Sequence, residues 1–247
     1  MAHFAPDVRI IVVGGHTRSI GKTQLVCDII SALPEANWIA GKITQYGHGI
    51  CAQNGHGCDC APDEHVCAIS WERDANTGTD SSRFLAAGAQ QAFWLRTKQG
   101  FLAEGMPLFR GALDETARLR QSETRGDLAG AAAPISVILE SNTLLQFLKP
   151  DLFLMVLHPD KSDFKDSAQL QLDRASAFVL REPLSPTGVA GAAATGHGAA
   201  SWPRIPLQLL HGKPQFLQRE GEPLPPTFLE LVRKHVCTPV PAPSINP

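Results

Sequence analysis

Gly21, Lys22 and Thr23 follow an apolar run, Ile11 to Val13, and a glycine pair, Gly14-Gly15, and they lead into Gln24, Leu25, Val26 and Cys27, the opening of an amphipathic helix. Glycine lets the backbone turn tightly enough to aim successive N–H groups at one point, and the first N–H groups of the helix add to that field, so the junction suits a phosphate. There the Lys22 ammonium would reach the β- and γ-phosphates of a nucleoside triphosphate, and the Thr23 hydroxyl would ligate Mg²⁺. The residues that would line such a seat are Gly15, His16, Thr17, Arg18, Ser19, Ile20, Gly21, Lys22, Thr23 and Gln24. The competing reading is a glycine-rich strand-to-helix turn with no ligand.

The stretch 9–27, RIIVVGGHTRSIGKTQLVC, resembles the strand, phosphate loop and helix start of P-loop NTPases. Their usual pattern is G-x-x-x-x-G-K-[ST]. Five positions before Gly21 this chain has His16, so either the first position is not glycine or the loop, counted from Gly15, has one extra residue. Both countings keep the Gly-Lys-Thr end, which touches the transferable phosphate. Mg²⁺ with ATP or GTP is what this resemblance implies as cofactor.

A second acidic feature fits the same chemistry. Glu140 closes the apolar run Pro134 to Leu139, and the carboxyl ends of strands in a parallel sheet are where ligands gather. A carboxylate there can complete a Mg²⁺ shell or orient an attacking water, with Ser141 and Asn142 as polar helpers. A surface glutamate at a strand end is the competing reading.

Together these features resemble the MobB-type P-loop family, nucleotide-binding proteins associated with making the molybdopterin guanine dinucleotide cofactor. The likeness is carried by the loop, by GKITQYGHG at 41–49 through Lys42 and His48, by Gly78-Thr79-Asp80-Ser81-Ser82-Arg83 leading to Ala87-Gly88-Ala89, and by Leu139-Glu140-Ser141. The family has a denser histidine run after the lysine, glycine after the acidic residue, and small residues where His16-Thr17-Arg18 stand here. The resemblance implies roles for Lys42 in neutralising a phosphate or a small anionic substrate, for Asp80 in touching Mg²⁺ or accepting a proton, and for Arg83 in bracing phosphates. Asp80 also suits a helix N-cap, and Lys42 and Arg83 suit solvated surface positions.

Cys51, Cys58, Cys60 and Cys67 form C-x₆-C-x-C-x₆-C, interleaved with His48, His56 and His65. Four thiolates satisfy a tetrahedral Zn²⁺ or an iron-sulfur cluster, and a metal could order a segment that has little apolar core. A redox pair, a mixed His/Cys site and unligated thiols stay open. Cys27 and Cys237 lie in helical patterns and read as buried or incidental thiols. His158-Pro159-Asp160, with Asp163-Phe164-Lys165 on the same rim, lies where many P-loop folds contact the base.

Of 247 residues, 22 are Lys or Arg and 24 Asp or Glu, with no long run of one sign, which disfavours extended nucleic-acid binding. The N-terminus lacks a secretory pattern and no apolar stretch reaches membrane-span length, so a cytoplasmic protein with reduced cysteines is expected.

Near-continuous apolar strands, at 8–13, 38–43, 92–95, 134–140, 152–157 and 177–180, alternate with helical patterns at 21–33, from Asp80 through Ala89, 101–120, 142–149, 165–173 and 227–236. This predicts an α/β fold of the three-layer P-loop NTPase kind, a mostly parallel sheet flanked by helices. One domain over 1–238 is expected, with a cysteine-rich insert at 48–67, a Gly/Ala/Pro-rich loop at 183–203 and a tail at 239–247. Gln121 to Ala133 reads as a loop, and Ile205 to Leu210 and Phe216-Leu217 as late elements. The leading functional expectation is a Mg²⁺-dependent NTPase or small-molecule kinase. The alternative is a nucleotide-gated metal-binding or cofactor-assembly adaptor that hydrolyses slowly and meets a partner protein, with a homodimer left open.

Overall fold

The computed structural model describes residues 8–47, 50–53, 56, 64–124, 135–158, 161–181 and 210–236, with backbone alone for 119–124. Eight strands form one sheet: β1 (Val8–Gly15), β2 (Ile39–Tyr46), β3 (Cys67–Trp71), β4 (Gln91–Lys98), β5 (Ile135–Glu140), β6 (Leu152–Leu157), β7 (Ala177–Arg181) and β8 (Gln215–Gln218). Their order is β3-β4-β2-β5-β1-β6-β7-β8, and every neighbouring pair is parallel except β3 with β4. Five helices accompany them among the described residues: α1 (Lys22–Ala32), α2 (Asp80–Ala86), α3 (Leu102–Thr124), α4 (Asp166–Gln169) and α5 (Pro226–Val236).

Why three layers follows from β1. Its side chains alternate across the sheet: Ile10 and Val12 join the core under α3, where Met106, Phe109 and Leu113 pack, while Ile11 and Val13 join the core under α1 and α5, with Ile29, Phe228 and Val232. A strand apolar on both faces has no stable place at a water-facing surface, so helices cover both. The expected three-layer α/β fold with a mostly parallel sheet is the one observed. No helix among the described residues is long and apolar enough to cross a membrane.

Several elements differ from expectation. The antiparallel edge strand β3, which starts at the last residue of the cysteine-rich insert, was not expected, because its residues are all partly exposed and gain their order by pairing with β4. Residues 121–124, read as loop, continue α3. The helix expected at 142–149 is one 3₁₀ turn, Thr143–Gln146, and the one at 165–173 is the short α4 followed by a 3₁₀ turn, Leu172–Arg174. In both, a few apolar side chains (Leu144, Leu145, Ala168, Leu172) satisfy the core, and a single turn suffices to bury them. Of the late elements, 205–209 lie outside the described residues, as do the loop at 183–203 and the tail at 239–247.

Register sets what meets at the carboxyl edge of the sheet. Val13 and Lys42 both stand opposite Glu140 on β5, so the end of β1, the middle of β2 and the end of β5 share one level. There β5 stops and β2 continues to Tyr46 beside β4. Gly41 makes this tight packing fit: a Cβ on it would come within 2.6 Å of Phe93 Cε2 and 2.8 Å of Leu139 Cδ2.

Candidate functional site

The loop between β1 and α1 is shaped by two left-handed residues, Ser19 (φ 51°) and Gly21 (φ 82°), the latter the N-cap of α1. Gly21 also has a neighbour that excludes a side chain: the Arg181 guanidinium, whose Nη2 donates to the Gly21 carbonyl at 2.7 Å. At the other end of the loop, Asn142 grips the Gly15 peptide on both sides, Oδ1 accepting from its N–H and Nδ2 donating to its carbonyl, each at 2.8 Å.

His16, which stands where the loop pattern has glycine, explains itself. Its φ is not in the left-handed region, its N–H extends the β1–β6 ladder to the Val156 carbonyl, and its ring is buried beside Phe164 with Nε2 3.2 Å from the Lys161 carbonyl. No left-handed backbone is needed at that position, and the side chain leaves the loop for an adjacent pocket. Burial lowers the imidazole pKa against the opposing pull of the Lys161 carbonyl, so the ring is neutral at pH 7.

Above the loop lies a cavity of about 760 Å³, lined by the loop from Thr17 to Gln24 and by Lys42, Asp80, Arg83, Glu140 and Lys165 among others. Along its floor runs a chain of polar contacts. Thr23 Oγ1 donates to Glu140 Oε2 at 2.7 Å, and Lys42 Nζ donates to Glu140 Oε1 at 3.1 Å and to Asp80 Oδ2. Burial works against charging Lys42, but Glu140 and Asp80 outweigh it and raise its pKa. Lys22 Nζ donates to the Thr17 carbonyl at 2.6 Å, and burial pushes its pKa down to about 8 despite the pull of Glu140. The Thr23 hydroxyl and the Glu140 carboxylate are hard oxygen donors side by side, a set that fits Mg²⁺ sharing its remaining positions with phosphate oxygens.

The structure thus brings Lys22, Thr23, Lys42, Asp80, Arg83 and Glu140 around one cavity. Asp80 is not the N-cap of α2: Thr79 takes that place, its Oγ1 accepting from the Ser82 N–H at 3.0 Å, which frees the Asp80 carboxylate for Lys42. Arg83 is half-exposed, donating to Gln24 Oε1 at 2.7 Å with Asp80 3.9 Å away. Sequence reasoning missed Arg181, although a charged residue at the carboxyl end of an apolar strand was the very signal that picked out Glu140. It also missed the wall formed by Thr44, Gln45 and Gln99, because nothing in their types marks them.

Of the four cysteines, the two described, Cys51 and Cys67, do not line this cavity. Cys67 begins β3, its Sγ donating to the Glu104 carbonyl at 3.6 Å, and Cys51 is buried with Sγ 3.7 Å from His65 Nδ1. Cys58 and Cys60 lie outside the described residues, and among the described residues no three metal-binding side chains gather. Cys27 is a buried thiol, as expected, with its pKa pushed up to about 11 by burial.

Among solved structures, the chain is similar to HypB from Helicobacter pylori in complex with nickel, at 12% identity over 93% of this chain and 88% of that one, with a TM-score of 0.45. It is also similar to the "apo" form of LpxK from Aquifex aeolicus in complex with ATP, at 17% identity over 85% of this chain and 53% of that one, with a TM-score of 0.41. No protein-family model matches the chain, and no curated protein matches it.

The double grip of Asn142 on Gly15 gives a direct expectation. Asn142→Ala leaves both polar groups of a buried peptide without these partners and should cost about 1–3 kcal/mol of unfolding free energy. Urea denaturation measures it, and an unchanged midpoint would mean the loop is held by other means.

Proposed function

We propose that the chain is a P-loop nucleotide-binding protein that takes ATP or GTP with Mg²⁺ and delivers the terminal phosphate to water or to a small acceptor. The observation that carries this reading is the contact chain Thr23–Glu140–Lys42–Asp80, set directly beside Lys22 at the N-terminus of α1. The MobB-type resemblance supports it through the same residues, with a cytoplasmic setting and a single domain over 1–238 as parts of the same proposal.

In this reading the loop and the start of α1 receive the phosphates through backbone N–H groups. Lys22 leaves the Thr17 carbonyl for the β- and γ-phosphate oxygens, whose charge adds to the pull of Glu140 against the cost of burial. Mg²⁺, held through Thr23 and Glu140, supplies charge neutralisation and a fixed orientation of the phosphate chain when bound. Lys42 keeps the buried Glu140 carboxylate in place and paired. An acceptor oxygen attacks the γ-phosphorus as the bridging P–O bond breaks and the diphosphate leaves with the electron pair. Asp80, its side chain 39% exposed, takes the acceptor's proton, and Arg83 braces the acceptor side.

A second reading is favoured by one observation, the buried Cys51 thiol beside the His65 imidazole. It makes the cysteine-rich insert a Zn²⁺ or iron-sulfur site, completed by Cys58, Cys60 and Cys67, and the protein a nucleotide-gated adaptor. Elemental analysis of anaerobically purified protein should then find one zinc, or iron with visible absorption, per chain. Metal-free protein whose cysteines all react rapidly with a thiol reagent would remove this reading and leave the nucleotide site untouched.

Two variants separate binding from turnover. Lys22→Ala should weaken Mg·ATP or Mg·GTP binding on the order of tenfold or more in calorimetric titration, a loss of about 1.4 kcal/mol or more. Glu140→Gln should slow single-turnover phosphate release on the order of a hundredfold while changing nucleotide affinity much less, since it removes charge with little change of volume. Equal turnover in wild type and Glu140→Gln would return Glu140 to a structural role.

The Lys22 pKa fixes a pH dependence. Bound phosphate favours the charged ammonium, so binding above pH about 8 must take up a proton. Affinity is therefore full below that pH and falls as pH rises through it, by at most about tenfold per unit. Titrations between pH 7.5 and 9.5 test this, and a flat profile would contradict it.

A further inference from the structure

Charge is distributed unevenly around the cavity. Five cationic side chains, Arg18, Lys22, Lys42, Arg83 and Lys165, face it against two carboxylates, Asp80 and Glu140. Both carboxylates are engaged with Lys42, on the β2 side of the loop, and Arg83 stands near Asp80. On the other side of β1, after β6, Arg18 and Lys165 face the cavity with no carboxylate in its lining beside them, and the carboxylate that supports Lys165, Asp163, accepts from Thr17. Among the described residues neither side chain makes a hydrogen bond or ion pair.

Their placement is fixed by the backbone. The segment 161–165 is stitched to the start of the loop by three contacts: Thr17 Oγ1 donates to Asp163 Oδ2, His16 Nε2 lies 3.2 Å from the Lys161 carbonyl, and the Lys165 N–H donates to the His16 carbonyl at 2.9 Å. Phe164, buried between them in sequence, packs its ring 5.2 Å from that of His16. These contacts hold Lys165 against the loop beside Arg18. Burial lowers the Lys165 pKa, Arg18 and Lys42 add to that and Asp163 opposes it, while Lys22 in turn feels Lys42 and Lys165 against the pull of Glu140. Like charges held close together cost stability, and a cleft that keeps more cations than carboxylates in its lining is a candidate seat for an anion.

Resting on the nucleotide reading above, we propose that Arg18 and Lys165 form a built-in cation pair for the terminal phosphate, so that the site distinguishes a nucleoside triphosphate from the diphosphate using charges from its own chain. Lys42 and Lys22 approach that phosphate from the β2 side and from below. Arg18 and Lys165 close it from the β6 side, where the negative charge spread over the equatorial oxygens during transfer is stabilised by positive groups already in place. Arg18 suits this role through its planar fork and Lys165 as a point charge.

The test uses the full chain with Arg18→Met, Lys165→Met, Lys165→Arg and the double methionine variant, titrated with Mg·ATP and Mg·ADP, or with the guanine pair if the wild type prefers it. Single-turnover hydrolysis and thermal midpoints are measured alongside. Each methionine variant should lose about tenfold in triphosphate affinity or turnover but less than about twofold in diphosphate affinity. Lys165→Arg should restore most of the loss, and thermal midpoints should stay level or rise as the repulsion is relieved. Equal losses for both nucleotides, no loss for either, or losses that follow a falling midpoint would overturn the cation pair. A wild type that binds both nucleotides while the variants are unaffected removes only this inference. A wild type that binds neither removes the nucleotide reading and this inference together.

Discussion

Lys42 holds its ammonium between the carboxylates of Asp80 and Glu140, and Glu140 in turn accepts from Thr23. Glu140 is 5% exposed, so without Lys42 its charge would be buried with no cation in contact. Breaking such a pair from one side costs far more than the pair contributes, because the surviving charge is left desolvated. The cluster therefore constrains the elements that supply it. β2 must pair with β5 so that Lys42 stands opposite Glu140, α1 must begin where Thr23 reaches the strand end, and α2 must start one residue after its cap so that Asp80 points inward.

The supporting residues act on that cluster through the backbone. Asn142 clamps Gly15 on the strand side of the loop and Arg181 holds the Gly21 carbonyl on the helix side, so both ends of the β1–α1 loop are fixed by side chains from beyond other strands. Apolar layers on both faces of the sheet pack around these strands, and the closeness of Phe93 and Leu139 to Gly41 shows how tightly β2 is packed where Lys42 emerges. On the side of the cavity around Arg18 and Lys165 the lining holds cations without a carboxylate, and Asp163 behind them is engaged by Thr17.

Much of this was readable from residue types. The apolar runs ending at Gly14, Glu140 and Leu157 are strands because only a sheet covered on both faces buries every residue of such a run, and Gly21-Lys22-Thr23 could be placed because it follows the first of them. Lys42, Asp80 and Arg83 were singled out by resemblance, yet no sequence pattern says that Lys42 is shared between two carboxylates, since that depends on the β2–β5 register. The edge strand β3 was illegible because it is only five residues long, all of them partly exposed, and is ordered by pairing with β4. Arg181 escaped notice for a related reason: its partner is the Gly21 carbonyl, 160 residues away, and main-chain groups leave no mark in a sequence.

The claim that this cluster is a seat for a magnesium nucleotide is tested most directly by a crystal structure of the chain with Mg²⁺ and a non-hydrolysable ATP or GTP analogue. The account predicts that Lys22 Nζ has left the Thr17 carbonyl for β- and γ-phosphate oxygens, that Thr23 and Glu140 have turned from each other toward the metal, and that Lys42 still bridges Glu140 and Asp80. A nucleotide bound away from the loop, or a loop unchanged with Lys22 still on Thr17 at saturating analogue, would contradict it.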